Sequence, residues 1–328
     1  MEKITGIGNA LVDVLVRLPD DDLLYQLDLP KGGMILIDEQ RQVAVQQAMA
    51  PLYPRLSTGG SAGNAMLALA NLHAKPGFIG KIGEDEMGRF LMDNCRQRGI
   101  APHFFLCQNH TGVANTLISP DGERTFATCL GAASMMSVDE VSDDLFCGYQ
   151  ILHVEGYLVQ NHDLMEKVAL EAKAQGMRLS IDLASYNVVR EDLAFFRHLV
   201  HDYIDIVFAN EEESAAFTAL SNPRDALEEI ARHCEIAVVK LGSKGSCAKR
   251  GDEVAVVRAN HVDVVDTTAA GDFFAGGFLY ALTRGASLEK CLLVGAHLSE
   301  NVIQIVGTRL SDERWDSINN NVEEMLKN

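Results

Sequence analysis

The sequence predicts an α/β protein whose mostly parallel sheet is covered by helices on both faces, with a small β-sheet projecting from it. Three observations carry this. From about residue 138 onward, short β-branched runs alternate with amphipathic stretches, the rhythm of repeated βαβ units. The first 130 residues read instead as strands and a hairpin without intervening helices. No Pro/Ser-rich linker, low-complexity tract, charge block or repeat of 20 to 50 residues divides the 328 residues, so one domain over 1–328 is expected. At this length a folded chain buries roughly 75% of its unfolded surface, enough for a large core.

In the second half, strands are expected at 151–154, 178–181, 205–208 and 236–240. Between the first two, Leu164, Val168, Leu170 and Ala174 fall on a broad apolar stripe over 163–175, and Gly176 stands where a helix ends. In the first half, strands are expected at 11–18 and 34–37, and a hairpin over 116–129 crosses the turn Ser119-Pro120-Asp121-Gly122. A projecting sheet from about 11–38 and 104–130, beside a ligand crevice, can act as a lid. Ligands of such folds bind beyond the carboxyl ends of the parallel strands.

Composition narrows the partners. With 28 Lys+Arg against 46 Asp+Glu, the formal charge is −18, which disfavours nucleic acid and anionic membranes. The seven cysteines (95, 107, 129, 147, 234, 247 and 291) form no CxxC pair and no Cys/His metal spacing, as in a protein with reduced thiols. The opening MEKITGIGNA has no leader pattern, and no apolar run approaches the ~18 residues of a membrane span. A cytoplasmic protein is expected.

The strongest chemical signal is Asp266-Thr267-Thr268-Ala269-Ala270-Gly271-Asp272, between an expected strand at 261–265 and a helix carrying Phe274, Phe278 and Leu282. Small residues at 269–271 let backbone N–H groups approach a ligand, and the helix start adds free donors, making an anion pocket without Lys or Arg. Asp272 at its edge can take a proton from an attacking hydroxyl. An Asp near a helix start is also a common cap, and the local sequence supports both readings.

A second cluster, Gly59-Gly60-Ser61-Ala62-Gly63-Asn64, precedes another helical stretch. Its glycines admit a neutral ligand against the backbone and Asn64 offers both donor and acceptor to a hydroxyl; taken alone, the cluster is more simply an ordinary turn with a helix entry. In the first strand, GxG at residues 6–8 invites a dinucleotide reading. It lacks the third glycine, which falls on Leu11, and no helix follows. Asp13, between Val12 and Val14, is costly to bury unless sugar hydroxyls or a structural hydrogen bond pair with it. Asn210-Glu211-Glu212-Glu213 suits Mg²⁺ through water or simply the positive end of a helix. Lys240-Leu241-Gly242-Ser243-Lys244-Gly245 covers a nucleotide or joins two strands. Neither a P-loop GxxxxGK[ST] nor an HRDxxxxN loop occurs. His153, His261 and His297 sit in or beside apolar runs, as core or edge histidines do.

Taken in order, GIGNALVD, TGGSAGN, GKIGEDEMG, FANEEE, VKLGSKG and DTTAAGD resemble the motifs of the ribokinase-like, PfkB family of carbohydrate and nucleoside kinases across essentially the whole chain. The resemblance implies a three-layer α/β/α core with a β lid, ATP and Mg²⁺ as co-substrates, and phosphorylation of a sugar or nucleoside alcohol. By motif, Asp272 corresponds to the catalytic base and Ala269, Ala270 and Gly271 to the anion hole. Asn210 and Glu213 correspond to the NxxE pair that organises Mg²⁺ and phosphates. Lys240, Gly242, Gly245 and Thr267 lie in the nucleotide-binding stretches, and Asp266 with Thr268 resembles a loop that often binds a monovalent cation such as K⁺. Asn9, Leu11, Asp13, Gly59, Gly60 and Asn64 match the acceptor pocket. GNALVD, SPDGERT and HVEGYLVQN look most like the adenosine-kinase subgroup, in which Tyr157 would stack on a base, whereas Thr268 leans toward ribokinase. A sugar kinase of the ribokinase, fructokinase or 2-keto-3-deoxygluconate kinase type, and a non-catalytic metabolite-binding protein on the same fold, are the alternatives. A monomer and a homodimer are equally compatible.

Overall fold

Alternate residues of a single strand serve two different cores. In Ile206–Asn210, Ile206 and Phe208 pack into one apolar cluster and Val207 and Ala209 into the other. Ile236 and Val238 alternate with Ala237 and Val239 in the same way. A strand buried on both faces must be apolar at every position, and this is why these runs are continuous rather than alternating. One cluster is closed by helices Ser61–Asn71, Ala270–Thr283, Leu288–Val302 and Asp312–Lys327. The other is closed by His162–Ala174, Leu193–Asp202, Glu211–Thr218 and Pro223–Ile230. The result is the expected three-layer α/β/α arrangement.

The structure is a computed structural model that describes residues 2–327. In chain order the strands are β1 (Ile4–Ile7), β2 (Leu11–Arg17), β3 (Met34–Leu36), β4 (Arg55–Gly59), β5 (Gly77–Gly83), β6 (Ala101–Cys107) and β7 (Gly112–Ile118). They continue with β8 (Arg124–Cys129), β9 (Ile151–Glu155), β10 (Arg178–Asp182), β11 (Ile206–Asn210), β12 (Ile236–Lys240), β13 (Ser246–Arg250) and β14 (Glu253–Val257). The large sheet runs β14-β13-β12-β11-β10-β9-β1-β5-β6. It is parallel except at β12·β13 and β13·β14. The small sheet runs β3-β8-β7-β2-β4.

Several expectations need correction. Helices Asp22–Gln26, Glu39–Met49 and Glu86–Gln97 interrupt the first 130 residues. Glu39–Met49 was hard to see because it is mostly polar, burying only Gln42, Val45 and Met49. The small sheet also takes β4, whose exposed start hides any alternation, whereas residues 104–107 belong to the edge strand β6 of the large sheet. Residues 261–265 form no strand. Leu170 and Ala174 are exposed; the buried face is Leu164, Met165, Val168, Ala169 and Ala172, the i, i+4, i+8 rows of a helix. The hairpin stands as expected, Gly122 donating to the Ser119 carbonyl at 2.9 Å with φ +88°.

Candidate active site

Four neighbouring parallel strands each end in a polar residue: β9 in Glu155, β10 in Asp182, β11 in Asn210 and β12 in Lys240. Register places Glu155 beside Asp182 and Asn210 beside Lys240. All four line a cavity of about 1320 Å³ between the carboxyl edge of the large sheet and the small sheet. The same cavity receives Asp272 and the first turn of its helix.

Asp272 is held from both sides. Its Oδ1 accepts from Ser61 Oγ at 2.7 Å and its Oδ2 from Asn64 Nδ2 at 2.9 Å. The cause lies one helical turn further on. A Cβ at Gly276 would stand 2.8 Å from the Ala65 carbonyl oxygen and the Ala68 Cβ, and one at Gly277 2.9 Å from the Val294 carbonyl. Glycine at both positions lets helix 270–283 lie against helices 61–71 and 288–302 at backbone contact. That approach brings the two motifs together. Burial pushes the Asp272 carboxyl up to about 6, against the lowering pull of the Ser61 and Asn64 hydrogen bonds.

The anion turn differs from expectation in two ways. Ala269 enters the helix in the left-handed region, φ +59°, and the Ala270 amide donates to the Thr267 carbonyl at 3.2 Å. Of the expected anion-hole donors, the Ala270 N–H is therefore engaged within the turn. The Gly271 and Asp272 amides lie in the first turn of the helix, ahead of its i→i−4 ladder. The turn is also not free of cationic side chains. Lys240 Nζ lies 3.0 Å from where a Gly271 Cβ would stand and pairs with Asp182 at 2.6 Å. Arg124, from β8, pairs with Asp266 and donates from Nη1 to Thr268 Oγ1 at 2.9 Å. Both were invisible to a local reading of 266–272, because they arrive from strands 28 and 144 residues away from Thr268.

At the other end of the cavity, Asn9, Leu11, Asp13, Gly60, Asn64 and Tyr157 all reach the wall. Gly59 does not; it makes room for Asp13, since a Cβ there would stand 2.2 Å from Asp13 Oδ1. Gly60, at φ +84°, comes against the Asn9 carbonyl at a distance that admits no side chain, so its turn role is established. Burial, with the neighbouring Asp272 charge, pushes Asp13 up to about 7. Glu155, absent from the sequence reading, accepts from Asn9 Nδ2 at 2.7 Å and from the Ala62 amide at 3.1 Å, and burial pushes it up to about 7. Met34, Leu36, Ala114, Phe126 and Met136 add an apolar wall beyond these polar groups.

Asn210 and Glu213 form a reciprocal capping box: Asn210 N and Nδ2 donate to the two Glu213 oxygens at 2.8 and 2.7 Å, and Glu213 N donates to Asn210 Oδ1 at 2.8 Å. The helix-start reading of this pair is correct, and both residues also line the cavity. Gly242 and Thr267 line it as well. Gly245 does too, but its glycine is required by the Val257 carbonyl, 1.9 Å from a would-be Cβ. Beyond them, Asn260, Val264, Ser299 and Ile303 complete a side wall that sequence reasoning missed. Asp266 lies outside the cavity, its side chain fully buried. His153 is a core residue, its Nδ1 3.0 Å from Ser180 Oγ and its ring pushed down to about 4 by burial.

The profile of the pfkB family of carbohydrate kinases matches residues 29–315. The chain belongs to this family. Its members transfer a phosphoryl group to an alcohol acceptor. An adenosine kinase from Sinorhizobium meliloti, solved as a crystal structure, is 32% identical with a TM-score of 0.88, covering 98% of this chain and 99% of its own. The adenosine kinase of Schizophyllum commune is 25% identical over 96% of this chain and 98% of its own length. The ribokinase of Haemophilus influenzae is 27% identical over 90% of each.

Proposed function

We propose that this pfkB-family protein transfers the γ-phosphoryl group of ATP to a hydroxyl of an adenosine-like nucleoside, with Asp272 as the general base. The observation that carries the reading is the clamped Asp272 carboxylate, fixed by Ser61 and Asn64 at the head of the helix whose first-turn amides face the same cavity. Asp13 and Asn9 hold the acceptor's hydroxyls. The acceptor O–H proton passes to an Asp272 oxygen as the acceptor oxygen bonds to the γ-phosphorus. The bond from that phosphorus to the bridging oxygen breaks, and ADP leaves with the electron pair. The Gly271 and Asp272 amides and Lys240 offset the charge that develops on the phosphoryl oxygens. Closure of the small sheet over the cavity excludes water.

ATP of this kind arrives with Mg²⁺, which neutralises phosphate charge. Each Glu213 oxygen accepts one hydrogen bond and so keeps a lone pair, a donor set suited to holding a metal-bound water. The nucleoside reading is supported by the apolar wall of Met34, Leu36 and Phe126, larger than a free pentose needs. A sugar acceptor is the second reading, favoured by Thr268 in the anion turn and by the similarity to ribokinase. No helix among the described residues is long and apolar enough to cross a membrane. The test is ADP release with adenosine, other nucleosides, ribose and fructose, each repeated with Asp272→Asn. Turnover confined to free sugars would sink the nucleoside reading, and no acceptor-dependent turnover would sink the kinase reading.

A further inference from the structure

The resemblance of residues 266–268 to a monovalent-cation loop predicts a carboxylate free to coordinate an ion. The structure shows otherwise. Asp266 Oδ1 accepts from the Thr268 amide at 2.9 Å, and Oδ2 accepts from the Gly307 amide at 2.6 Å and is paired with Arg124. The other Arg124 nitrogen, Nη1, donates to Thr268 Oγ1, a second group that the cation reading needs as a ligand. The guanidinium is 10% exposed and the carboxylate not at all. Bringing a bare cation beside a fixed, desolvated guanidinium sets two like charges together in a low-dielectric site.

We infer that Arg124 takes, in this chain, the place a monovalent cation is expected to fill beside Asp266, so that the phosphoryl-binding turn is independent of K⁺ and is tied to the small sheet. The inference rests on reading residues 266–272 as that turn. A planar fork of donors can satisfy a carboxylate and a hydroxyl together, as a spherical ion would. It differs from an ion in being carried on β8, in the small sheet, so the turn acquires its charge balance only when that sheet is in place. The charges of Asp266 and of Asp13 on β2 favour the Arg124 cation, and that of Arg17 opposes it.

The test uses the ligand-free full chain, so it stands or falls without any turnover. Thermal midpoints are measured in KCl and in choline chloride at equal ionic strength for the wild type, Arg124→Gln and Arg124→Lys. The wild type is expected to melt within about 1 °C in the two salts. Arg124→Gln is expected to melt several degrees lower in choline chloride and to recover in KCl, because the vacated site now accepts the ion. Arg124→Lys, keeping the charge but not the fork, is expected to respond to KCl less than Arg124→Gln. With an acceptor in hand, the KM for ATP should be the same in both salts for the wild type and at least tenfold higher in choline chloride than in KCl for Arg124→Gln. A K⁺-specific rise in the wild-type midpoint overturns the inference, as does an Arg124→Gln protein indifferent to K⁺. Loss of turnover in every protein, with the melting pattern as expected, would count against the kinase reading alone.

Discussion

Asn64 donates to Asp272 at 2.9 Å across 208 residues of sequence. The side chain that reads as a grip on the acceptor and the side chain that reads as its base are thus one hydrogen-bonded unit, and an acceptor hydroxyl that displaces either bond is delivered directly to the base.

Asp272→Asn keeps the size and half the hydrogen bonding of the carboxylate, since the Ser61 hydroxyl can turn to serve an amide. The expected result is a kcat lower by about 10²–10⁴ with the KM for acceptor changed little. The thermal midpoint should stay within a few degrees. A kcat within threefold of wild type would show that the proton goes elsewhere.

Gly276→Ala touches nothing in the cavity. Its Cβ meets the Ala65 carbonyl and Ala68 Cβ at 2.8 Å, backbone that cannot swing aside, so helices 61–71 and 270–283 must separate by several tenths of an ångström. Misplacing the Asn64 and Asp272 pair should lower kcat by tenfold or more, with ATP affinity nearly retained. Unchanged kinetics would mean that the helix contact does not set the site.

Burial raises Asp13 and Glu155 to about 7 and Asp272 to about 6. Between pH 4 and 7 the folded chain therefore keeps protons on these three carboxyls that the unfolded chain has released, against the buried His153, pushed down to about 4, which works the other way. Stability of the unliganded protein should fall as pH rises through that window, and melting at pH 5 should exceed that at pH 7.5. Asp13→Asn should raise the melting temperature at pH 8 and leave it unchanged at pH 5, while raising the acceptor KM at least tenfold. Turnover, needing Asp272 ionised, should climb with pH to a plateau above about pH 7. Equal melting at pH 5 and 7.5 would contradict the raised values.

Lys240 and Asp182 are paired at 2.6 Å and both line the cavity, where the proposed function puts the nucleotide phosphates. Lys240→Met removes a charge-assisted contact of about 1.5–3 kcal/mol, which corresponds to a 10- to 150-fold rise in the KM for ATP. The acceptor KM should move less than threefold. A matched rise in both would place Lys240 in general stability instead.

Strands β9 to β12 were legible because a strand covered on both faces is an unbroken apolar run, whereas at Asp272 the local sequence left a helix cap and a base both open, and its Ser61 and Asn64 contacts come from a distant helix. What could not be read is what arrives from afar. Arg124 sits in a turn-flanking SPDGERT with nothing nearby to mark it, and its partner lies 142 positions on. Glu155 and Asp182 left a signal that was passed over: each closes an apolar run with a carboxylate, at the strand end where ligands of parallel sheets sit. The exposed Leu170 shows the opposite error, an apolar residue placed on the buried face by composition when its angular position faces solvent.

β1 lies in the middle of the large sheet, with Thr5 opposite Gly77 on one side and Ile4 opposite Ile151 on the other. This strand is therefore completed by a partner that lies 147 residues further along the chain, Ile4 pairing with Ile151. At about 5–20 residues per second, β1 waits roughly 7–30 seconds and β5 roughly 4–14 seconds for β9, with the β1 edge that β9 will cover unpaired throughout. Biosynthesis of this protein has a built-in interval of vulnerability. Chaperone demand and misassembly should respond to the speed of translation between residues 8 and 155 more than to anything downstream.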